Sequence, residues 1–242
     1  MFRLAFSPLI TASIFVCLAI SPASAAVIFQ NGFEAPVVNH PGPTGDTGGY
    51  DNYGTGQSIG PWTVVGPPGA NDAVSVVTDN FTQNGFSFHA QSGAQWADLA
   101  GQNANGTEGV ETTLSGLNGK SYTVSFWVGN VVDPRGVFGN STTVNLYVNN
   151  SLVYTALNNA GAGQTSQFWQ QFSYTGIGTN GPMTFKFLSG DPGDDFSSAF
   201  DSVTITTADV STVPGPIAGA GFPGLLMALM GLIAWRRRAI FA

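Results

Sequence analysis

Cysteine is nearly absent from this chain, since Cys17 is the only one among 242 residues. It falls within the first 25 residues, which have the features of a signal peptide. The mature protein is therefore expected to contain no disulfide, no zinc–thiolate site and no cysteine nucleophile. Charged residues are also scarce, at 9% against about 25% in an ordinary soluble domain. This scarcity excludes a coiled coil, a basic nucleic-acid-binding protein and a charge-rich disordered chain.

Residues 1–25 are predicted to be a secretory signal peptide. Arg3 supplies the positive start, residues 9–20 form a short apolar run, and Ala23-Ser24-Ala25 is a small-x-small cleavage signature. The apolar run is too short to span a bilayer. The protein is therefore expected to be exported.

A longer uncharged segment, Ile217 to Trp235, lies near the end of the chain. At about 1.5 Å per residue it covers roughly 28 Å, which is close to the hydrocarbon thickness of a bilayer. Arg236, Arg237 and Arg238 follow at once, and such a basic cluster places its end in the cytoplasm. Residues 217–235 are predicted as one transmembrane helix and residues 236–242 as a basic cytoplasmic tail. A buried core helix is the alternative.

Residues 209–216 link the body of the chain to this helix and end in Val213-Pro214-Gly215-Pro216. A proline motif, a glycine-rich apolar helix and a basic cluster, in this order, resemble the PEP-CTERM sorting tail of exopolysaccharide-producing Gram-negative bacteria. The name-giving motif of that family has glutamate where this chain has Gly215. The resemblance implies recognition and processing by an exosortase-type membrane protease, and a final location at the cell surface or in the extracellular matrix.

The exported part of the chain is strongly acidic. Its only basic residues are Lys120, Arg135 and Lys186, and it contains all 14 acidic residues, which gives a net charge of −11. Such a surface repels phosphate backbones and anionic lipids, so no nucleic-acid partner is expected. Neutral ligands or calcium suit it better.

Apolar and polar residues alternate through the body, residues 26–208. Tyr122–Val128, Thr143–Val148 and Met183–Phe187 each place apolar side chains on one face of a strand. Short strands with glycine-rich turns predict an all-β domain, an antiparallel jelly-roll β-sandwich. Residues 40–60, rich in glycine and proline, are predicted as one long loop.

Five short motifs follow one another in the order found in galactose-binding-like jelly rolls. The chain therefore resembles DUF642-type and carbohydrate-binding-module domains over nearly its whole body. The matching segments are Asn31-Gly32-Phe33-Glu34, Ile59–Val64, Gln95–Leu99, Gly119–Trp127 and Phe200–Ile205.

The resemblance implies one structural calcium ion where the first and last strands meet, with Glu34 and Asp201 as carboxylate ligands. The alternative is that Glu34 caps a turn and Asp201 accepts hydrogen bonds from buried backbone N–H groups. A second acidic loop around Asp191 does not follow EF-hand spacing and is predicted to be a solvated turn.

Four aromatic residues are candidates for stacking on a sugar ring. Trp127 and Tyr147 alternate out of phase with the apolar faces of their strands, and Tyr50 and Tyr53 lie in the predicted long loop. The alternative for Trp127 is that it packs beneath a loop as part of a second small core.

The resulting functional prediction is a cell-surface or matrix protein that binds neutral polysaccharide and is not an enzyme. A structural or adhesive matrix protein without a sugar site is the alternative, and a glycoside-active enzyme is the third possibility. Gly56-Gln57-Ser58-Ile59-Gly60 matches the G-x-S-x-G pattern of hydrolases. It lies in a glycine-rich segment without a following helix, so no nucleophile elbow is predicted.

Overall fold

The computed structural model describes residues 25–41, 47–102, 107–133, 138–191, 198–210 and 222–238. The strands are β1 (Ala26–Asn31), β2 (Tyr50–Tyr53), β3 (Ser58–Ile59), β4 (Trp62–Val65), β5 (Val74–Thr78), β6 (Phe81–Gln83), β7 (Phe86–Phe88), β8 (Gln95–Asp98), β9 (Gly109–Leu114), β10 (Lys120–Asn130), β11 (Thr142–Val148), β12 (Ser151–Asn158), β13 (Phe168–Ile177), β14 (Met183–Ser189) and β15 (Ala199–Asp209). One helix, α1 (Phe222–Arg238), follows them.

The strands form two large sheets and one small ribbon. A seven-stranded sheet has the order β13-β10-β15-β8-β5-β2, with β1 paired to the second half of β15. A six-stranded sheet has the order β12-β11-β14-β9-β4-β3, and β6 pairs with β7 alone. All pairings between these strands are antiparallel. The predicted all-β antiparallel sandwich is confirmed.

The main core lies between the two sheets and is rich in aromatic rings. Phe187 is fully buried, and its ring centroid lies 4.7 Å from that of Phe200 and 5.2 Å from that of Phe126. The ring of Trp62 packs against the same cluster, with its centroid 5.8 Å from that of Phe187. Every residue of this core belongs to residues 29–205, so residues 26–209 contain a complete core of their own.

A second core covers the outer face of the seven-stranded sheet, where the β6–β7 hairpin lies against β5 and β8. Its turn residues Asn84 and Gly85 have φ angles of 54° and 84°, the left-handed pair that a tight two-residue hairpin requires. Phe81 and Phe88 of the hairpin are buried with Trp96 of β8. Because the main core covers one face of β8 and this hairpin covers the other, all four residues of the strand are buried.

Two parts of the sequence-based picture change. Residues 40–60 are not one loop, because β2 and β3 lie within them and extend the edges of the two sheets. The β6–β7 hairpin was not predicted at all.

The terminal predictions fall mostly outside the described residues. The signal peptide up to residue 24 and the sorting motif Val213-Pro214-Gly215-Pro216 both lie there. The α1 helix overlaps the predicted span 217–235 and extends through Arg236, Arg237 and Arg238. The side chain of Arg236 is exposed. None of the described helices has the length and apolar character needed to cross a membrane.

Candidate functional site

Aromatic side chains from four strands share the outer face of the seven-stranded sheet. Strand register places Trp127 opposite Asp201, Trp96 opposite Val77, and Val77 opposite Tyr50, all on the face away from the main core. Trp169 of β13 lies on this face too, with its ring centroid 6.3 Å from that of Trp96. Three of the chain's five tryptophans therefore lie on one sheet face.

A pocket of about 220 Å³ opens on this face beneath the β6–β7 hairpin. Its floor is formed by outward-facing side chains of β5 and β8, namely Ser75, Val77, Trp96 and Asp98. Its walls are three phenylalanines, and its rim consists of side chains that remain partly exposed. The remaining lining residues are Tyr50, Phe81, Gln83, Phe88, Gly101, Gln102 and Phe138.

Asp98 is the carboxyl group among the described lining residues of this pocket. It is only 8% exposed, and its Oδ1 accepts hydrogen bonds from the N–H groups of Ala100 and Ser198, both at 3.0 Å. Burial in this apolar place raises the pKa of Asp98 to about 7, with the nearby Asp191 charge acting in the same direction, against the lowering effect of the hydrogen bonds. Asp98 is thus placed to hold a proton near neutral pH.

A hydrogen-bonded group of polar side chains continues from Asp98 into the sandwich. The Ser198 hydroxyl donates to Asp191 Oδ2 at 2.7 Å, and the Thr143 N–H donates to Asp191 Oδ1 at 2.6 Å. Asp191 is 4% exposed, and burial raises its pKa to about 6 despite these donors. The prediction that Asp191 lies in a solvated turn is therefore wrong.

Polar groups at the rim and on the floor of the pocket are positioned by hydrogen bonds. Gln102 Nε2 donates to the Tyr50 hydroxyl at 2.9 Å, and the Ser75 hydroxyl donates to Asn52 Oδ1 at 2.6 Å. Gln102 is exposed and Tyr50 is partly exposed, so both present polar atoms at the mouth of the pocket. The site combines flat aromatic walls with a few oriented hydrogen-bonding groups.

The four predicted stacking residues do not come together. Tyr50 alone lines the pocket. Trp127 is half-buried on the same sheet face but is not a lining residue, and Tyr147 lies on the outer face of the other sheet, opposite Lys186. Tyr53 points to the inner side of its strand and packs against the main core.

A second, wider cleft is lined by His40, Asp51, Tyr53 and Ser58, with Asn52, Gly56 and Gln57. His40 Nδ1 contacts Asp51 Oδ1, and the N–H groups of Asn39 and His40 also donate to this carboxylate. Burial acts to raise the pKa of Asp51, but these contacts outweigh it and lower the pKa. Among the described residues no hydrogen bond joins Ser58 to His40, so the contact that activates a serine nucleophile is not formed.

Glu34 and Asp201 lie close enough to interact, and both hold the segment that joins β7 to β8. Asp201 Oδ2 accepts from the N–H groups of Gln91 and Ser92 at 3.0 and 3.2 Å, and Glu34 accepts from Ala94 at 3.1 Å. Burial raises the pKa of Asp201 to about 7, with the Glu34 charge adding to it.

Two adjacent carboxylates are hard ligands that suit calcium, yet their described partners are N–H donors, as in the turn-capping alternative. No group of three or more His, Cys, Asp or Glu side chains that could hold a metal occurs among the described residues. A calcium ion at Glu34 and Asp201 would therefore need backbone carbonyls as further ligands, and it stays a prediction.

The sequence reasoning missed most of the pocket. Asn84-Gly85 between two phenylalanine-containing runs is a strong hairpin signal that would have revealed the covering ribbon. Asp98 carried a weaker signal, an acidic residue at the end of a strand whose two preceding residues, Trp96 and Ala97, are apolar. Nothing local indicated Phe138 or Gln102, because the fold alone brings them to the pocket.

No protein-family model matches this chain, and no curated protein matches it in sequence. Among solved structures, the fold is similar to the Stig cyclase Fisc from Fischerella sp. TAU, in complex with (3Z)-3-(1-methyl-2-pyrrolidinylidene)-3H-indole. The TM-score is 0.53 at 20% identity, over 76% of this chain and 98% of the cyclase. A cyclase from the same source in complex with 4-(1H-indol-3-yl)butan-2-one gives a TM-score of 0.50 at 19% identity, over 75% and 96% of the two chains.

A family 35 carbohydrate-binding module from Clostridium thermocellum also matches, over 64% of this chain and 96% of the module. Its identity is 14% and its TM-score is 0.40, which is too low to establish a shared fold.

The prediction that the protein is not an enzyme is contradicted by this comparison. It rested on the absence from the sequence of a cysteine nucleophile and of a nucleophile elbow at Gly56-Gln57-Ser58-Ile59-Gly60. The two solved structures named above, which share the fold, are cyclases, and cyclases are enzymes. At about 20% identity the likeness shows the fold alone, so no substrate and no catalytic residue of the cyclases transfers to this chain.

Proposed function

We propose that the pocket on the outer face of the seven-stranded sheet binds one neutral ring of a polysaccharide. The observation that supports it is the pocket itself, with Trp96 and Asp98 on its floor and phenylalanine walls. Aromatic rings stack on the apolar faces of sugar rings, while the amide and hydroxyl groups at the rim satisfy sugar hydroxyls.

The size of the pocket limits what enters it. About 220 Å³ is below the range of about 300–1,000 Å³ that is usual for drug-sized ligands. The pocket therefore takes a single ring, and the remainder of a longer glycan lies outside, across the rim at Tyr50 and Gln102.

The charge of the protein favours a neutral ligand over an anionic one. The exported part of the chain carries a net charge of −11, which repels anionic glycans. The pocket lining contains no described lysine or arginine that could pair with a carboxylate or sulfate group.

The test is calorimetric titration of residues 26–209 with a panel of neutral mono- and oligosaccharides. For a sugar that binds, Gln102→Ala and Tyr50→Ala are expected to weaken the affinity at least about tenfold, since each removes oriented contacts at the rim. Tyr147→Ala on the opposite sheet is the matched control and is expected to bind like the wild type. Equal affinity for all variants, or a loss confined to Tyr147→Ala, would contradict the proposed site.

A second candidate function, proton donation to a small bound substrate, is favoured by one observation. Asp98 faces an aromatic pocket with a pKa of about 7, and general acids work best when their pKa lies near the working pH. The probe for this candidate is 4-(1H-indol-3-yl)butan-2-one in the same titration. Binding of this compound with no sugar binding would favour it, and binding of sugars alone would favour the glycan site.

The sequence segments at the two ends support a proposal for the location and partners of the protein. We propose that the protein is exported, is handled by an exosortase-type protease through its PEP-CTERM-like tail, and resides at the cell surface or in the matrix. We also propose that one calcium ion binds at Glu34 and Asp201, because a buried carboxyl group beside a second carboxylate is stabilised by a cation.

A further inference from the structure

The side of the sandwich formed by β12 and β13 carries no charge. These two strands are the edge strands of the two sheets and lie side by side, with Tyr154 6.4 Å from both Phe172 and Tyr174. None of their 18 residues is acidic or basic. Leu152, Leu157, Phe168 and Ile177 on these strands are each at least 45% exposed.

Natural sheets protect their edges with charges, prolines, bulges or short strands. Strand β12 has a bulge against β11, and β1 has one against β15. Strand β2 is four residues long and includes Asp51, and β3 has two residues. Among the described edge strands, β13 is long and regular and has none of these protections from Trp169 onward, while just before it Gln167 donates its N–H to the Ser87 carbonyl at 2.8 Å. Its register with β10 is continuous over ten residue pairs.

The open edge of β13 presents a regular ladder of backbone groups. Gly178 donates to the Lys120 carbonyl at 2.8 Å, so the even-numbered residues of β13 bond to β10. Because antiparallel strands alternate, the odd residues 169, 171, 173, 175 and 177 direct their N–H and C=O groups away from the sheet.

We propose that β13 pairs antiparallel with β13 of a second copy of this chain about a two-fold axis at Ser173. This register places Gln171 opposite Thr175, and it allows about ten hydrogen bonds between the outward residues. It also places Phe172 opposite Tyr174 on the core side and Trp169 opposite Ile177 on the outer side. Aromatic–aromatic and aromatic–β-branched cross-strand pairs are favourable.

Charge identifies a second copy as the partner. A body with a net charge of −11 repels its own copies at most of its surface, but this side carries no charge to repel. A basic partner would be drawn to the acidic surfaces instead. The pairing joins two seven-stranded sheets into one and leaves the outer-face pockets of both copies open.

The first test is sedimentation velocity of residues 26–209 over about 5–200 μM. The wild type is expected to form dimers, more strongly as salt screens the repulsion between the acidic bodies. Ser173→Lys places two like charges opposite each other at the axis and is expected to give monomers. Thr155→Lys, which puts the same exposed lysine on β12, is the matched control and is expected to leave the dimer intact.

A second variant keeps the test independent of folding defects. Ser173→Cys introduces the only cysteine of residues 26–209, and opposite residues of a hydrogen-bonded antiparallel pair have Cα atoms about 5.5 Å apart, within disulfide range. Mild oxidation is expected to give a covalent dimer, which Thr155→Cys does not form. A wild type that stays monomeric throughout, or a dimer that survives Ser173→Lys and crosslinks through Thr155→Cys instead, would overturn the proposal.

Discussion

Replacing Asp98 by asparagine should change how the stability of the protein depends on pH. Burial raises the pKa of Asp98 from 3.8 to about 7. Between these values the folded protein holds a proton that the unfolded chain has released, so the free energy of unfolding falls as the pH rises through this window. At about 1.4 kcal/mol for each pH unit, the whole effect is about 4 kcal/mol, of which about 3 kcal/mol falls between pH 5 and 8.

Asparagine keeps an oxygen that accepts from Ala100 and Ser198 but cannot ionise. The Asp98→Asn variant is therefore expected to lose most of this pH dependence and to be more stable than the wild type at pH 8, by about 4 kcal/mol. Urea denaturation of residues 26–209 at pH 5, 6, 7 and 8, with chelator present, measures the effect.

Asp209→Asn is the matched control, because it removes one exposed carboxylate and changes the net charge equally. Its stability is expected to run parallel to that of the wild type across the pH range. A parallel curve for Asp98→Asn as well, or a variant that is less stable than the wild type at every pH, would refute the reasoning about the buried proton.

Three further outcomes test the packing and the calcium prediction. Phe187→Ala should cost about 3–5 kcal/mol of unfolding free energy, against less than about 1.5 kcal/mol for the half-exposed Phe168→Ala, by urea denaturation. Gly109→Ala should lower the free energy of unfolding by more than about 3 kcal/mol, because the Cβ of the new alanine would lie 1.9 Å from the Phe187 carbonyl oxygen. Gly116→Ala, with open space but a φ of 82°, should cost about 1–2 kcal/mol; equal costs would contradict the close approach. Millimolar calcium should raise the Tm of the wild type but not of Asp201→Asn, and an unmoved wild-type Tm would argue against the ion.

Much of the sandwich could be predicted from strand periodicity. Alternation in Tyr122–Val128 and Thr143–Val148 identified which side chains enter the core, since period-two burial is a local property of a strand. Strand β8 was found by motif, although both of its faces are buried and it shows no alternation. The short strands β2, β3, β6 and β7 were missed, because two to four residues carry too little periodicity.

The candidate site was predicted less well, because it depends on which sheet each strand joins. Alternation places Trp127 and Tyr147 away from the core but does not say that they face opposite sides of the sandwich. It also gives no sign that a hairpin covers Trp96 and turns Asp98 into a buried acid. Asn84-Gly85 is a local signal for the hairpin itself, but the place where the hairpin docks is a long-range consequence of sheet order, which no local pattern encodes.

The central claim, that ligands enter the pocket above Trp96, is tested most directly by the indole N–H signals in heteronuclear NMR. Residues 26–209 contain four tryptophans, whose signals are assigned with single Trp→Phe variants. Titration with a binding neutral sugar is expected to shift the signal of Trp96. The signal of Trp62, whose indole donates to Asn31 Oδ1 at 2.9 Å within the sandwich, is expected to stay in place. Shifts centred on Trp127 with Trp96 unchanged, or no shift with any sugar, would contradict the account.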